Sequence, residues 1–190
     1  MSVRIAVDID EVLCPFLRTM SRWRYPRFVP PNRFPYDYKS LFELSTKETR
    51  ALVDTFYFTK DFSEMKPFPE SQVHLKHLRG QGYEIYAVSE RKYLSRYLTE
   101  DWLDYYYPRT FRDLFLTDDK ASVCSSANMG FIIDDDYQVC IKSLEKGIHP
   151  INFVGDPVYP WCTMNEHAEK NWKGVYQNII DNTPKSCNIL

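Results

Sequence analysis

This sequence has few glycines, few cysteines and no long apolar run. Glycine occurs only 6 times in 190 residues, which excludes collagen-like repeats and glycine linkers. The five cysteines are odd in number and show no Cys-x-x-Cys spacing, as is typical of reduced thiols without a zinc site. No window approaches the roughly 20 apolar residues of a membrane helix. Acidic side chains interrupt the N-terminal apolar run, so we expect no export signal and a cytoplasmic protein.

An excess of positive charge is also missing. The 24 basic and 26 acidic side chains give a formal charge of −2, so we expect no stable nucleic-acid partner. Hydrophobic residues at 44% and charged residues at 26% are typical of a globular protein. The length suits one domain of roughly 100–200 residues, with room for a small insert. The oligomeric state stays open, and a homodimer is one option.

Short apolar runs alternate with helical patterns along the chain. Strands are predicted at residues 4–8, 83–88, 113–117, 130–134 and 150–154. Helices are predicted at residues 46–58, 69–79, 93–107 and 172–180, with two more following the third and fourth strands. This alternation predicts an α/β fold with a mostly parallel sheet flanked by helices.

Residues 15–66 differ from the rest, because aromatic, arginine and proline residues are concentrated there. We interpret this segment as a small, mainly helical cap inserted into a core made of residues 1–14 and 67–182. Residues 183–190 form a C-terminal tail. The cap's aromatic side chains either line a base-stacking cleft or form the cap's own small core. They are Trp23, Tyr25, Phe34, Tyr36 and Tyr38.

Acidic side chains follow four of the predicted strands. The segments concerned are Asp8-Ile9-Asp10, Ser89-Glu90, Asp118-Asp119-Lys120 and Asp134-Asp135-Asp136. In parallel sheets, ligands bind beyond the carboxyl ends of the strands. Crowded carboxylates raise each other's pKa unless a cation lies between them, and oxygen ligands suit Mg²⁺. The sequence therefore predicts a magnesium site at this edge of the sheet.

The order and spacing of these segments resemble the four motifs of haloacid-dehalogenase-like (HAD) phosphohydrolases. Residues 5–13 resemble the first motif, Ser89 the second, Lys120 the third, and Asp134 with Asp135 the fourth. Within that superfamily the chain is most similar to the 5′(3′)-deoxyribonucleotidases. The similar segments are 66–69, 102–107, 116–120, 132–135 and 171–173. The resemblance spans nearly the whole chain except the cap, and it implies a Rossmann-like HAD core.

Phosphate ester cleavage needs a nucleophile, charge neutralisation and a proton for the leaving oxygen. Asp8 can act as the nucleophile and form an aspartyl-phosphate. Asp10 lies on the same side of an extended strand, so it can protonate the leaving oxygen and later activate water. We expect Mg²⁺-dependent hydrolysis of a small phosphomonoester, with a 5′-nucleotide or deoxynucleotide as the leading substrate class.

The resemblance assigns the remaining roles. It implies that Mg²⁺ is held by the Asp8 carboxylate, the Asp10 main-chain carbonyl and Asp135. Ser89 and Lys120 would hold phosphoryl oxygens. Each has a plainer alternative, since Ser89 could cap a helix and Lys120 could be solvated. Asp136 is expected to cap the helix that follows it.

One aromatic residue has a similar double interpretation. Phe16 matches a position that faces the nucleobase in the deoxyribonucleotidases. A packing role in the core or the cap is the alternative for this ring.

Three residues depart from the nucleotidase pattern. Glu11 stands where Gly is usual, Asp118 where Arg is usual, and Glu90 where a small polar residue follows the motif-two serine. Glu11 also resembles the Asp-x-Asp-Glu motif of carboxy-terminal-domain protein phosphatases. A protein or polynucleotide phosphatase is therefore the first alternative. A non-catalytic binding protein that has kept the HAD fold is the second.

The last four residues, 187–190, fit the C-a-a-X prenylation pattern, with Leu190 favouring a geranylgeranyl group. No polybasic run precedes Cys187, and one lipid alone binds membranes only marginally. Prenylation at Cys187 is a minor alternative to a purely cytoplasmic location.

Overall fold

A computed structural model of the chain describes residues 2–27, 38–155 and 168–184. The strands are β1 (Arg4–Val7), β2 (Glu84–Ser89), β3 (Phe111–Leu116), β4 (Phe131–Asp134) and β5 (His149–Asn152). Before β2 lie the helices α1 (Phe16–Arg24), α2 (Tyr38–Phe42), α3 (Thr46–Tyr57), α4 (Lys60–Ser63) and α5 (Ser71–Gly80). After β2 lie α6 (Arg96–Tyr106), α7 (Lys120–Ser126), α8 (Tyr137–Glu145) and α9 (Trp172–Asn182).

The five strands form one sheet in the order β3-β2-β1-β4-β5, and every pairing is parallel. The predicted α/β fold is confirmed. The strands β1 and β4 are almost entirely apolar and buried, as expected for strands covered on both faces. The chain leaves β1 for β2 on one side and reaches β4 on the other. Such a reversal opens a crevice beyond the carboxyl end of β1.

Short polar side chains start the helices that follow the sheet. Asp119 accepts a hydrogen bond from the backbone N–H of Ser122 at the start of α7. Asp136 does the same for Gln138 at the start of α8, which agrees with its predicted capping role. Both helices therefore begin directly after a strand, and Lys120 becomes the first residue of α7 at the edge of the sheet.

Two helices differ in detail from their predicted form. Helix α5 begins at Ser71 rather than at Pro69, because Glu70 adopts a left-handed conformation with φ of 66°. The segment 93–107 starts with a 3₁₀ turn, Tyr93–Ser95, before α6. The buried face of α6 begins at Thr99 and includes Trp102. The large apolar or aromatic residues of this segment that stay exposed to solvent are Tyr93, Leu94, Tyr97 and Tyr105.

The described residues of segment 15–66, the predicted cap that we call the insert, share their apolar core with the sheet. Side chains from α1, α3 and α4 belong to the same buried cluster as those of β1 and β4. Within the insert, the Trp23 ring lies 5.5 Å from that of Phe56, and Tyr25 lies 6.1 Å from Phe42. These contacts favour the packing interpretation for the first two cap aromatics. Other residues named from the sequence lie outside the described residues or have no described side chain: Phe34, Tyr36, Tyr38 and Cys187.

Among the helices of the described ranges, none combines the length and the apolar character needed to span a bilayer.

Candidate active site

A cavity of about 440 Å³ opens beyond the carboxyl ends of β1, β2 and β4. One wall comes from these strand ends, and the other comes from α1 and α3 of the insert. The site residues predicted from the sequence all line it: Asp8, Asp10, Phe16, Ser89, Lys120 and Asp135. The parallel sheet therefore brings together side chains from four separate parts of the chain.

Lys120 stands at the centre of a buried charge cluster. Its Nζ lies 2.9 Å from Asp8 Oδ2 and 2.9 Å from Asp134 Oδ2. All three side chains are buried, which rules out the alternative of a solvated lysine. We call these three residues the Lys120 cluster.

The Lys120 cluster changes the acidity of its members. Burial raises the pKa of Asp8 to about 7, with smaller contributions from Asp134 and Asp10, although Lys120 opposes the rise. Burial acts to lower the pKa of Lys120, but the facing carboxylates outweigh it and raise that pKa well above its usual value. The lysine is therefore a permanent positive charge beside Asp8.

The neighbouring acidic residues Asp134 and Asp135 have different surroundings. Asp134 is fully buried, with Oδ2 accepting from Lys120 and Oδ1 accepting from the backbone N–H of Asp136 at 2.9 Å. Asp135 lines the cavity. Its backbone carbonyl accepts from Asn152 Nδ2 at 3.0 Å, which fixes the loop after β4. The contacts favour Asp135 as a metal ligand and Asp134 as the residue that holds Lys120.

The donor set fits a magnesium ion. Carboxylate oxygens of Asp8, Asp134 and Asp135 lie within 4.8 Å of one another. The buried Oδ1 of Asp8 has no hydrogen-bond partner among the described residues. A buried carboxylate oxygen left in this state is costly unless a cation is bound, and Mg²⁺ favours oxygen ligands.

Asp10 is held by a residue that the sequence analysis did not single out. Arg91 donates from Nη2 to Asp10 Oδ1 at 2.6 Å and from Nε to Oδ2 at 3.1 Å. Its Nη1 donates to Thr99 Oγ1 at 3.1 Å. Burial alone would lower the pKa of Arg91, but Asp10 raises it, so the guanidinium stays charged. The signal in the sequence was an arginine two residues after the motif-two serine, at an edge of the sheet where many acidic residues are expected.

Ser89 ends β2 and is buried against the cavity. Its Oγ accepts a hydrogen bond from the backbone N–H of Arg91 at 3.2 Å. The next helical turn begins only at Tyr93, so Ser89 does not cap a helix. Its hydroxyl can therefore donate toward a ligand in the cavity.

Phe16 is the first residue of α1, and its ring is 1% exposed. The ring packs edge-on against Phe56 at 5.2 Å and lies 5.3 Å from the guanidinium carbon of Arg91. This arrangement favours the packing alternative for Phe16. Contact with a nucleobase stays a prediction.

Glu11 has a structural task that accounts for its departure from the nucleotidase pattern. Its backbone is left-handed with φ of 60°, the conformation in which glycine is usual. Its buried carboxylate accepts the backbone N–H of Leu17 at 2.6 Å, in the first turn of α1. A carboxylate at a helix N-terminus is favourable because the free N–H groups carry partial positive charge.

The two other departures also have local partners. Asp118 lies 2.7 Å from Lys92 in an exposed ion pair, so the lysine partly offsets the effect of its negative charge on the cavity. Glu90 lines the cavity, and burial together with neighbouring carboxylates raises its pKa despite Lys120. Of the three added acids, Glu11 and Glu90 line the cavity, whereas Asp118 is not part of its lining.

Known structures share this fold. A predicted phosphatase from Clostridium acetobutylicum superposes with a TM-score of 0.69 at 10% identity, covering 95% of this chain and 99% of the other. A haloacid-dehalogenase-like hydrolase from Streptococcus pneumoniae gives 0.59 at 15% identity, covering 93% and 91%. A HAD-type hydrolase from Bacillus subtilis bound to magnesium gives 0.59 at 12% identity, covering 94% and 98%. At these identities the likeness shows the HAD fold alone.

The sequence itself adds the family. No curated protein sequence matches the chain. A family model described as 5′ nucleotidase, deoxy (pyrimidine), cytosolic type C protein matches residues 1–183, nearly the entire chain. The resemblance inferred from the four motifs is thereby confirmed. With its HAD fold, this chain belongs to the family of 5′ nucleotidase, deoxy (pyrimidine), cytosolic type C proteins, and it is a phosphatase of the 5′-nucleotidase-like kind.

Proposed function

We propose that the protein hydrolyses a small phosphomonoester in a magnesium-dependent reaction through an aspartyl-phosphate at Asp8, with a 5′-nucleotide or deoxynucleotide as substrate. The observation that carries this proposal is the buried Asp8 carboxylate at the cavity wall, with Lys120 on one oxygen and no hydrogen-bond partner on the other among the described residues. Family membership supports the substrate class.

The chain's own residues supply the nucleophile and the proton transfers. A carboxylate oxygen of Asp8 attacks phosphorus, and the ester oxygen of the substrate leaves. Asp10 lines the same cavity, so it donates a proton to that leaving oxygen and later accepts one from the attacking water. Ser89 and Lys120 hold phosphoryl oxygens by hydrogen bonding and charge.

Magnesium would be held by Asp8, Asp135 and the main-chain carbonyl of Asp10. When bound, it supplies positive charge that offsets the carboxylates and the phosphoryl group.

The insert supplies the wall that faces the rest of the substrate. Thr49, Arg50, Val53, Asp54 and Tyr57 line the cavity from α3. These side chains combine an apolar surface with a few polar and charged groups, as is typical of a pocket for a small ligand. We propose that residues 15–66 act as the specificity-setting cap of a core built from residues 1–14 and 67–182.

The contacts of Glu11 weaken the protein-phosphatase alternative. The resemblance to the carboxy-terminal-domain phosphatases rested on this residue, and its carboxylate accepts the N–H of Leu17 at the start of α1. Glu11 therefore has a structural contact that needs no protein substrate, and its side chain also lines the cavity. Family membership also favours catalysis over a purely scaffolding role.

The first test is hydrolysis of p-nitrophenyl phosphate with and without Mg²⁺, for the wild type and for Asp8→Asn. Asp118→Asn is the matched control, because it removes an exposed carboxylate at the same edge of the sheet. We expect turnover that needs Mg²⁺, is lost in Asp8→Asn and is kept in Asp118→Asn. Turnover that survives in Asp8→Asn would contradict the mechanism.

A substrate panel then tests the class of phosphomonoester. It compares 5′- and 3′-nucleotides and deoxynucleotides with a phosphopeptide and a 3′-phosphorylated DNA oligonucleotide. A higher kcat/KM for nucleotides is the expected result. A preference for either macromolecule would restore the first alternative.

We also propose a cytoplasmic location, in keeping with the cytosolic type that the family description names. Lipidation of Cys187 and formation of a homodimer stay predictions. Mass spectrometry of the intact protein and sedimentation analysis test them.

A further inference from the structure

Arg91 is a buried cation for which the mechanism above has no role. Its side chain is 1% exposed, and it follows the motif-two serine by two residues. A guanidinium out of water is costly unless its N–H groups and its charge are satisfied. Its contacts therefore indicate what the protein gains from keeping it there.

Aromatic rings of the insert surround the guanidinium. The carbon Cζ lies 5.3 Å from the ring centre of Phe16, 5.6 Å from Tyr57 and 5.2 Å from Phe62. These rings come from α1, α3 and α4. Rings within about 6 Å of a cation attract it through their negative faces. We call Arg91 and these three rings the Arg91 box.

The box leaves the guanidinium little freedom to turn. Thr99 accepts from Nη1 on the side of α6, at 3.1 Å. The remaining fork, Nε and Nη2, faces the two carboxylate oxygens of Asp10. Paired N–H donors of this kind fix the plane of a carboxylate as well as its position. Asp10 thus has a defined orientation although its side chain is 25% exposed to the cavity.

A carboxylate held in this way can still exchange protons. Each carboxylate oxygen has two lone pairs, and Arg91 occupies one on each oxygen. On Oδ1 the thiol of Cys14 is a second donor at 3.9 Å, so the second pair of Oδ2 is the one available to a leaving group or to a water molecule. Misplacement of a reacting group by about 1 Å can cost about 100-fold in rate, so a fixed orientation is valuable here.

We propose that Arg91 is a positioning residue: held by Thr99 and the aromatic rings of the insert, it orients Asp10 for proton transfer to the leaving oxygen. The inference rests on the proposed phosphatase function and extends it. Arg91 does not contact the reacting atoms, and it acts only through Asp10.

The test uses the dependence of kcat/KM on the leaving group. This parameter covers the steps up to departure of the leaving group, and nitrophenolate departs without a proton whereas an alkoxide needs one. Arg91→Lys keeps the charge but cannot form the fork. We expect it to lower kcat/KM by about 100-fold for an alkyl phosphate or a nucleotide and by less than about tenfold for p-nitrophenyl phosphate.

Three further variants make the result specific. Asp10→Asn should show the same dependence on the leaving group, and adding Arg91→Lys to it should change nothing more. Arg96→Lys, an arginine paired with Glu100 and Asp113 on the surface of α6, is the matched control and should behave as the wild type. Equal losses on both substrates in Arg91→Lys would mean a merely structural role and would overturn the inference.

Unfolding in urea gives a readout that does not depend on activity. If Arg91 holds Asp10, the losses of stability in Arg91→Lys and Asp10→Asn should be less than additive in the double variant. Additive losses would overturn the inference about Arg91 and would leave the proposed function standing. Absence of turnover in the wild type would instead defeat the proposed function and the acid–base role together.

Discussion

The two aspartates of the first motif are held by two different cations. Asp8 meets the point charge of Lys120 at a single oxygen, and Lys120 is shared with Asp134. Asp10 meets the fork of Arg91 at both oxygens. The Lys120 cluster therefore leaves one oxygen of Asp8 for chemistry, whereas the Arg91 box fixes the whole carboxylate of Asp10.

The difference matches the roles proposed for the two aspartates. A nucleophile must form a new bond, so a lysine that neutralises charge without occupying both oxygens is suitable. An acid–base group must keep its direction while its proton moves, so a planar bidentate partner is suitable. Substitutions that remove the charge of Lys120, the bidentate contact of Arg91 or the burial of Asp8 should therefore act differently on Asp8 and on Asp10.

The largest effect is expected from removing the shared charge. Lys120→Met leaves Asp8 and Asp134 buried without their cation and should lower the free energy of unfolding by about 3–5 kcal/mol. Lys92→Met is the control, since Lys92 pairs with Asp118 at 2.7 Å with both side chains mostly exposed. It should cost at most about 1 kcal/mol. Urea unfolding in metal-free buffer measures both, and equal losses would contradict the contrast.

The pH dependence of stability tests the burial of Asp8. In the metal-free folded protein its pKa is raised from 3.8 to about 7, chiefly by burial. Between these values the folded state binds more protons than the unfolded state, so stability falls as the pH rises. A shift of about 3 units is worth at most about 4 kcal/mol.

The experiment follows the free energy of unfolding from about pH 4 to about pH 7. Asp8→Asn cannot titrate in this window, so its stability should fall less than that of the wild type. Asp118→Asn should follow the wild type. Parallel curves for the wild type and Asp8→Asn would show that Asp8 is not the group responsible.

The next effect concerns the metal. Asp135→Asn should raise the dissociation constant for Mg²⁺ by about 100-fold or more, because even carboxylates that only orient ligands contribute about 10–100-fold. Asp134→Asn should weaken Mg²⁺ binding less and destabilise the fold more, since it removes a partner of Lys120. Titration calorimetry and urea unfolding separate the two. A larger loss of Mg²⁺ affinity in Asp134→Asn than in Asp135→Asn would show that Asp134, rather than Asp135, is the metal ligand.

The smallest effect tests the support of the Arg91 box. Thr99→Val keeps the shape of the side chain and removes the acceptor of Arg91 Nη1, which should cost about 1–3 kcal/mol of stability. Thr55→Val on the exposed side of α3 is the control and should stay within about 0.5 kcal/mol. Thermal unfolding distinguishes them. Indistinguishable midpoints would mean that the box does not depend on Thr99.

The Lys120 cluster was accessible from the sequence and the Arg91 box was not. Asp8 directly follows the apolar strand β1, Asp134 ends the apolar strand β4, and Lys120 begins the helix after β3, so their meeting at one edge follows from the parallel sheet. Arg91 also follows a strand, but its role depends on Thr99 and on rings from three helices of the insert. Arg91, Thr99 and these rings come together only through the packing of the helices, and no local sequence pattern specifies that packing.

Helix α6 shows the same limit on a smaller scale. The apolar spacing was correct for Trp102, which is buried. It was misleading for Leu94, which lies in the 3₁₀ turn before the helix, and for Tyr97 and Tyr105, which lie on the exposed face of α6. Which of these side chains meet the core therefore cannot be assigned from periodicity alone.

The Arg91 box also bears on how substrate arrives and product departs. A lid that swung open would carry Tyr57 and Phe62 away from a buried guanidinium and expose all of them to water. The cost of exposing these groups keeps Tyr57 of α3 and Phe62 of α4 packed against Arg91. We therefore expect substrate and product to exchange through the existing mouth of the cavity, without a hinge motion of α3 and α4.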